Sequence, residues 1–166
     1  MTPDYFRTLA RYNAWANRRL YDACAKLPDG ERKRDRRSFF RSIHNTLNHL
    51  LVGDRIWLAR LEGKDHGIKS LDQVLYDDFG RLRQAREAED ERITLWMDGL
   101  DERRLAGTLR YRSMSDGRSS ETALPFVLGH VFNHQTHHRG QVHGMLSQTE
   151  VAPPPLDLLY YVRDAG

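Results

Sequence analysis

A single cysteine, Cys24, stands among the 166 residues, so no internal disulfide can form and packing must hold the chain together. Such sparing use of cysteine points to a reducing, cytoplasmic setting. No apolar run approaches the ~20 residues that a membrane-spanning helix needs. The opening stretch, MTPDYFRTLARYNAWANRRL, mixes charged with apolar residues where a signal peptide would carry an unbroken apolar core. Excess charge is also scarce: 26 basic against 23 acidic side chains leave +3 at pH 7, too little to argue for a nucleic-acid partner. No repeat, linker or low-complexity segment interrupts the chain. What remains is 39% hydrophobic and 30% charged, and long enough for one domain over residues 1–166 with a substantial core.

Apolar periodicity predicts four long helices. Over Thr2 to Leu27, the residues Phe6, Leu9, Asn13, Ala16, Leu20, Ala23 and Leu27 recur at spacings of three and four, the seam of a bundle helix. Pro28-Asp29-Gly30 stops it. The stretch ERKRDRRSFFR (31–41) carries six basic and two acidic side chains and reads foremost as a solvated inter-helix loop, with a patch for an anionic ligand or a phosphate backbone as the lesser reading. A second helix over Ser38 to Leu61 presents Phe39, Ile43, Leu47, Leu50, Trp57 and Leu61, with Asp54 inside the stripe and Gly63 after it. A third, Leu71 to Leu100, opens on a Ser70/Gln73 capping box and shows Leu75, Phe79, Leu82, Ile93, Trp96 and Leu100, with Glu89 in a gap of that face. Residues 101–121 have short period-two character and an Asp116-Gly117 turn signal, which suit a small hairpin or ordered loop. The last long helix spans Thr122 to Thr149, with Thr122 as N-cap and Pro125 in its first turn. After Pro153-Pro154-Pro155, Leu156 to Val162 can add a short packing helix. The expected fold is all-α: an antiparallel four-helix bundle with short loops, one longer connection before the last long helix and a short C-terminal helix.

Five of the eight histidines fall in one stretch, LGHVFNHQTHHRGQVHGML. Its buried stripe of Leu124, Val127, Val131 and Met145 passes through His134 and His138. Imidazoles four residues apart stack on one helix face, and two of them in a core stripe are costly unless each nitrogen finds a partner. A divalent metal supplies one to both. His130 and His134 share the same spacing, and a third ligand must come from another helix. His44 and His49 flank the second helix's stripe on opposite sides, since five residues turn through about 500°, and periodicity does not choose between them. Gly53, one turn beyond His49, leaves open space beside that ring. Glu89 is open as a fourth ligand or an acid/base.

YNAWANRRL, NHLLVGDRIWLARLEG and FNHQTHHRGQVHGMLSQ resemble the DinB (YfiT-like) family of four-helix-bundle proteins, over nearly the whole chain. The resemblance implies a divalent metal held by three histidines, which fall on His49, eight residues before Trp57, and on His134 and His138, immediately before Arg139-Gly140-Gln141. Three imidazoles without a thiolate leave one position free for a ligand, as in reactive zinc sites. Zinc there lowers the pKa of a bound water or thiol; nickel suits the same ligands. Asn45, Asn48, Asp54 and Gln135 are candidates to orient the ligating rings, and Arg139 can bind a substrate carboxylate or pair with an acid such as Asp54. The roles of His44, His130 and His137 stay open. By resemblance the expected function is a metal-dependent enzyme of thiol-transferase or hydrolase type. It would activate a low-molecular-weight thiol or a water against a small electrophile. The alternative is a non-enzymatic, metal-stabilised, dimeric binding protein linked to stress. A homodimer is expected on the same ground.

Overall fold

The computed structural model describes residues 1–165. In chain order the elements are α1 (Pro3–Ala25), α2 (Asp29–Lys33), α3 (Ile43–Glu62), α4 (Phe79–Asp98), α5 (Glu102–Leu105), β1 (Thr108–Arg112), β2 (Ser119–Ala123), α6 (Leu124–Leu146) and α7 (Leu158–Ala165). The protein is therefore an all-α helical bundle built on α1, α3, α4 and α6, with one antiparallel β-ribbon. The ribbon turns at Gly117, whose φ of 71° suits a residue without Cβ.

Side chains decide where the helices begin. Thr2 Oγ1 accepts from Tyr5 N at 3.3 Å, Ser42 Oγ from Asn45 N at 3.1 Å, and Asp78 Oδ1 from Arg81 N at 2.8 Å. Three predicted boundaries move as a result. The second long helix starts at Ile43 and not at Ser38, because residues 38–41 close a tight bridge flanked by positive φ at Arg37 and Arg41. Phe39, placed in the stripe by periodicity, is 83% exposed, and its neighbour Phe40 turns inward instead. The next helix starts at Phe79, not Leu71; Gln73 Oε1 accepts from Lys69 N within a loop, so no capping box forms. Thr122 caps nothing, since it pairs with Leu109 in the ribbon, and α6 begins at Leu124 with Pro125 in its first turn.

Two large apolar clusters make up most of the core, beside a smaller third one of Val52, Ile56 and Ile68. One large cluster gathers the C-terminal part of α1 (Leu20, Cys24), the start of α3 (Ile43, Leu47), the start of α4 (Phe79, Leu82) and the end of α6 (Val142, Leu146). The other gathers Phe6 of α1, Leu58 of α3, Ile93 and Met97 of α4, and Leu124 and Leu128 of α6. The helices thus run α1 up, α3 and α4 down, α6 up. Neighbours α1/α4 and α3/α6 are antiparallel, while α3/α4 and α1/α6 are parallel. Two parallel consecutive helices cannot be joined by a short loop, so residues 63–78 travel back along the bundle over a helix length of ~30 Å. The later part of this return connection, residues 71–78, falls where periodicity predicts helix, and the connection walls one side of the histidine site described below.

Between the apolar clusters lies a polar layer. Asn13, Asn17, Asp54, Arg86, Asp90, Gln135 and Arg139 are each no more than 7% exposed. Arg86 lies 2.7 Å from Asp54 and 2.9 Å from Asp90, at ion-pair distance but without linear N–H···O alignment. Asn17 Nδ2 donates to Asp90 at 3.0 Å, and Arg139 donates to the side-chain oxygens of Asn13 and Asn17.

Candidate metal centre

His49 reaches inward from α3, and His134 and His138 from α6, where these antiparallel helices pack. His49 Nε2 lies 3.2 Å from His134 Nε2 and 3.2 Å from His138 Nε2. All three nitrogens fall within 4.8 Å of one another. Side by side, α3 Gly53 makes this approach feasible: a Cβ there would stand 2.9 Å from His134 Cε1 and 3.3 Å from Nδ1. The space that the glycine leaves is filled by His134 from the facing helix. Gly53→Ala therefore displaces that ring, and we expect roughly 10–100-fold weaker metal binding, as for loss of an orienting partner. The melting temperature of the metal-free variant should be unchanged or slightly raised by the better helix former. A metal titration beside a melting curve checks both.

The partners of the other ring nitrogens fix which nitrogen carries hydrogen. His49 Nδ1 is 2.7 Å from the Leu71 carbonyl, which can only accept, so Nδ1 donates and Nε2 holds a lone pair. His138 Nδ1 is 2.8 Å from Gln141 Oε1, while Gln141 Nε2 faces His137 Nε2 at 3.3 Å. His138 Nε2 is then a lone-pair nitrogen as well. Two lone pairs meeting at 3.2 Å repel unless a positive charge sits between them. Protons are poor candidates: burial holds His134 down at about 3 and His138 at about 4, and burial also lowers His49. A divalent cation suits the set, since zinc–nitrogen bonds of about 2.0–2.1 Å place tetrahedral ligand atoms roughly 3.3–3.4 Å apart. Three close, largely buried histidines can hold a metal ion.

Depressed imidazole pKa values carry a sign for the metal-free protein. The unfolded chain takes up protons near pH 6.5, whereas folded His134 and His138 refuse them until about pH 3 and 4. The two rings thus contribute no penalty above pH 7, and stability falls as pH drops from about 6.5 toward 4, with uptake of about two protons on unfolding. Melting curves of chelated protein across that window, compared with a His134→Gln/His138→Gln variant, read the difference. Equal slopes for the two proteins would contradict it.

The remaining predicted residues fall into distinct places. Asn48 acts at one remove: its Oδ1 accepts from Leu75 N (2.9 Å) and Tyr76 N (3.0 Å), pinning the return connection that presents Leu71. Gln135 Nε2 donates to Leu50 O at 3.3 Å, Asn45 gives its backbone N–H to the Ser42 cap, and Asp54 pairs with Arg86. The ring-orienting groups are instead Leu71 O and Gln141. Arg139 is 2% exposed and held by Asn13 and Asn17, so a substrate does not reach it, and its expected partner Asp54 belongs to Arg86. Glu89 is drawn away to Arg92 (2.9 Å) and Arg55 (3.7 Å), outside the histidine cluster. His44 Nε2 meets Tyr76 O at 2.9 Å, outside the histidine cluster. His130 packs edge-on to Trp57 with ring centroids 5.0 Å apart.

Sequence reasoning missed Phe40. Its ring stacks on His49 at 3.9 Å and meets His138 edge-on at 5.5 Å, covering the site from the basic segment. That segment answers its own charges locally, with Arg36 2.9 Å from Glu31 and Arg41 2.9 Å from Asp35. A cleft of about 490 Å³ opens from His49 and His134 toward the ribbon, past Trp57, His130, Arg60 and Tyr111. A second, of about 530 Å³, opens from His49 and His138 past Phe39 and Phe40.

Comparison with known proteins places this architecture. Protein DinB of Bacillus subtilis (strain 168) is 29% identical over 168 residues, covering 96% of this chain and 94% of that protein. The DinB family profile matches residues 1–165, which takes in all four bundle helices and the three histidines, and the chain belongs to the DinB family.

Proposed function

We propose that the protein is a metal-dependent enzyme in which His49, His134 and His138 hold one zinc or nickel ion, used to activate a small thiol or water against a small electrophile. One observation carries the proposal: three imidazole nitrogens, two of them lone-pair donors by their partners, face one point at the inner end of an open cleft. A divalent cation there supplies Lewis acidity and brings the pKa of a bound thiol or water toward neutrality. The chain's own residues do the rest. Leu71 O and Gln141 hold two rings in their ligating orientation, Gly53 gives the third room, and Phe40 keeps bulk water from His49. Neutral imidazoles are ready to bind without first losing protons.

Screening thiol–electrophile pairs and esters with metal-stripped, zinc-loaded and nickel-loaded protein tests the proposal. Turnover is expected only in a loaded form. Loaded protein that turns over nothing across such a screen would favour a second reading, in which the ion ties α3 to α6 without catalysis. The position of the triad across that helix pair supports it.

A further inference from the structure

The ribbon-side cleft contains a cation that the protein itself does not answer. Most arginines withdrawn from solvent face a carboxylate: Arg36 meets Glu31 at 2.9 Å, Arg55 meets Glu89 at 3.7 Å, and Arg86 meets Asp54 at 2.7 Å. Arg60 is half-buried and meets none at ion-pair distance among the described residues. Its guanidinium lies 4.6 Å from the Trp57 ring and 5.0 Å from the Tyr111 ring, and Nη2 donates to Arg112 O at 2.6 Å. Two aromatic faces and one carbonyl hold the plane still. The rest of its donor fork is left over.

We infer that Arg60 anchors the anionic end of the substrate, and that this substrate carries a carboxylate. The inference rests on the metal-enzyme reading and names the substrate class of that same site. The placement follows the cleft wall: Arg60 leans on Trp57, Trp57 meets His130 at 5.0 Å, and His130 meets His134 at 5.7 Å. A molecule held by its carboxylate at Arg60 therefore extends along His130 toward the triad. A planar fork recognises a carboxylate by paired charge-assisted hydrogen bonds. Asp116 also lines the cleft, but Arg118 stands 3.7 Å from it, so Arg60 is the cation left without a carboxylate there. Arg139, the sequence's candidate for this task, is sealed in the polar layer.

Calorimetric titration of succinate, and of neutral succinamide as control, into the full metal-loaded chain tests the inference. Succinate should bind and succinamide should not. Arg60→Gln should weaken succinate roughly tenfold or more, with Arg60→Lys intermediate because it keeps charge but loses the fork. If Arg60→Gln does not fold, Arg60→Lys decides, judged beside a melting curve. Absence of succinate binding, equal binding of the amide, or unweakened binding by the folded variants overturns the inference. Binding lost on metal removal but indifferent to Arg60 puts the anion on the cation, which overturns the anchor and leaves the metal-enzyme reading standing. Arg60-dependent binding in a loaded protein that catalyses nothing supports the anchor and sinks the enzyme.

Discussion

His134→Ala and His138→Ala should each abolish metal binding at the proposed centre. The native protein is expected to bind about one equivalent, and each variant to lose affinity by well over ~100-fold, beyond the 10–100-fold typical of losing a mere orienting partner. Activity found for the loaded protein should vanish with it. Stability follows by mass action: ion present at ~1,000 times its Kd contributes about 4 kcal/mol, and each kcal/mol shifts a domain of this size by about 2–4 °C. A fall in melting temperature on the order of 10 °C is therefore expected for the loaded protein, and chelation of the native protein should reproduce it. His137→Ala is the control. His137 is exposed and touches Gln141, one step from the proposed ligand His138. It should retain its metal with at most a modest loss of affinity. Stoichiometric metal in His138→Ala would refute the ligand assignment.

Arg86→Ala should be the most damaging change away from the histidines. Arg86 is 1% exposed and stands between Asp54 (2.7 Å) and Asp90 (2.9 Å). Removing it leaves two buried carboxylates without their cation, and breaking a buried pair costs about 3–5 kcal/mol. Burial already raises the Asp90 pKa, with Arg86 opposing that shift, so loss of the guanidinium drives the group toward its neutral form. Arg86→Met keeps much of the volume and should still be costly. Combined with Asp54→Asn and Asp90→Asn it should recover much of the loss, since the penalty lies in unmatched charge and not in the missing contact. Urea unfolding of metal-free protein measures the series, and a cost below ~1 kcal/mol for Arg86→Ala would contradict the picture.

Three of the four bundle helices were legible because each presents an apolar stripe long enough to set its period; Phe6, Ala16 and Leu20 of α1 are all fully buried. Periodicity does not report direction, however. Nothing in residues 63–78 announces that α3 and α4 run parallel, and Leu71 and Leu75 continue the apolar spacing of α4 backward into a connection that retraces the bundle. At the site, the spacing of His134 and His138 carried the pair, but His44 and His49 are both buried and only the partner across the interface separates them. His44 meets the Tyr76 carbonyl and His49 the facing histidines. The Leu71 carbonyl has no side-chain signature at all. Two other features left a signal. Gln141 stands three residues after His138 on the same helix face, and Arg86 sits in the α4 stripe between Leu82 and Ile93, where a charge needs a buried partner.

Anomalous diffraction from crystals of metal-loaded protein, recorded across the zinc and nickel absorption edges, tests the convergence of the three rings most directly. The structure predicts one strong peak per chain, about 2.0–2.1 Å from Nε2 of His49, His134 and His138, with a further coordination position facing the cleft. A peak bound by the α6 histidines alone, with His49 turned away, or a cation held elsewhere in the bundle, would contradict it.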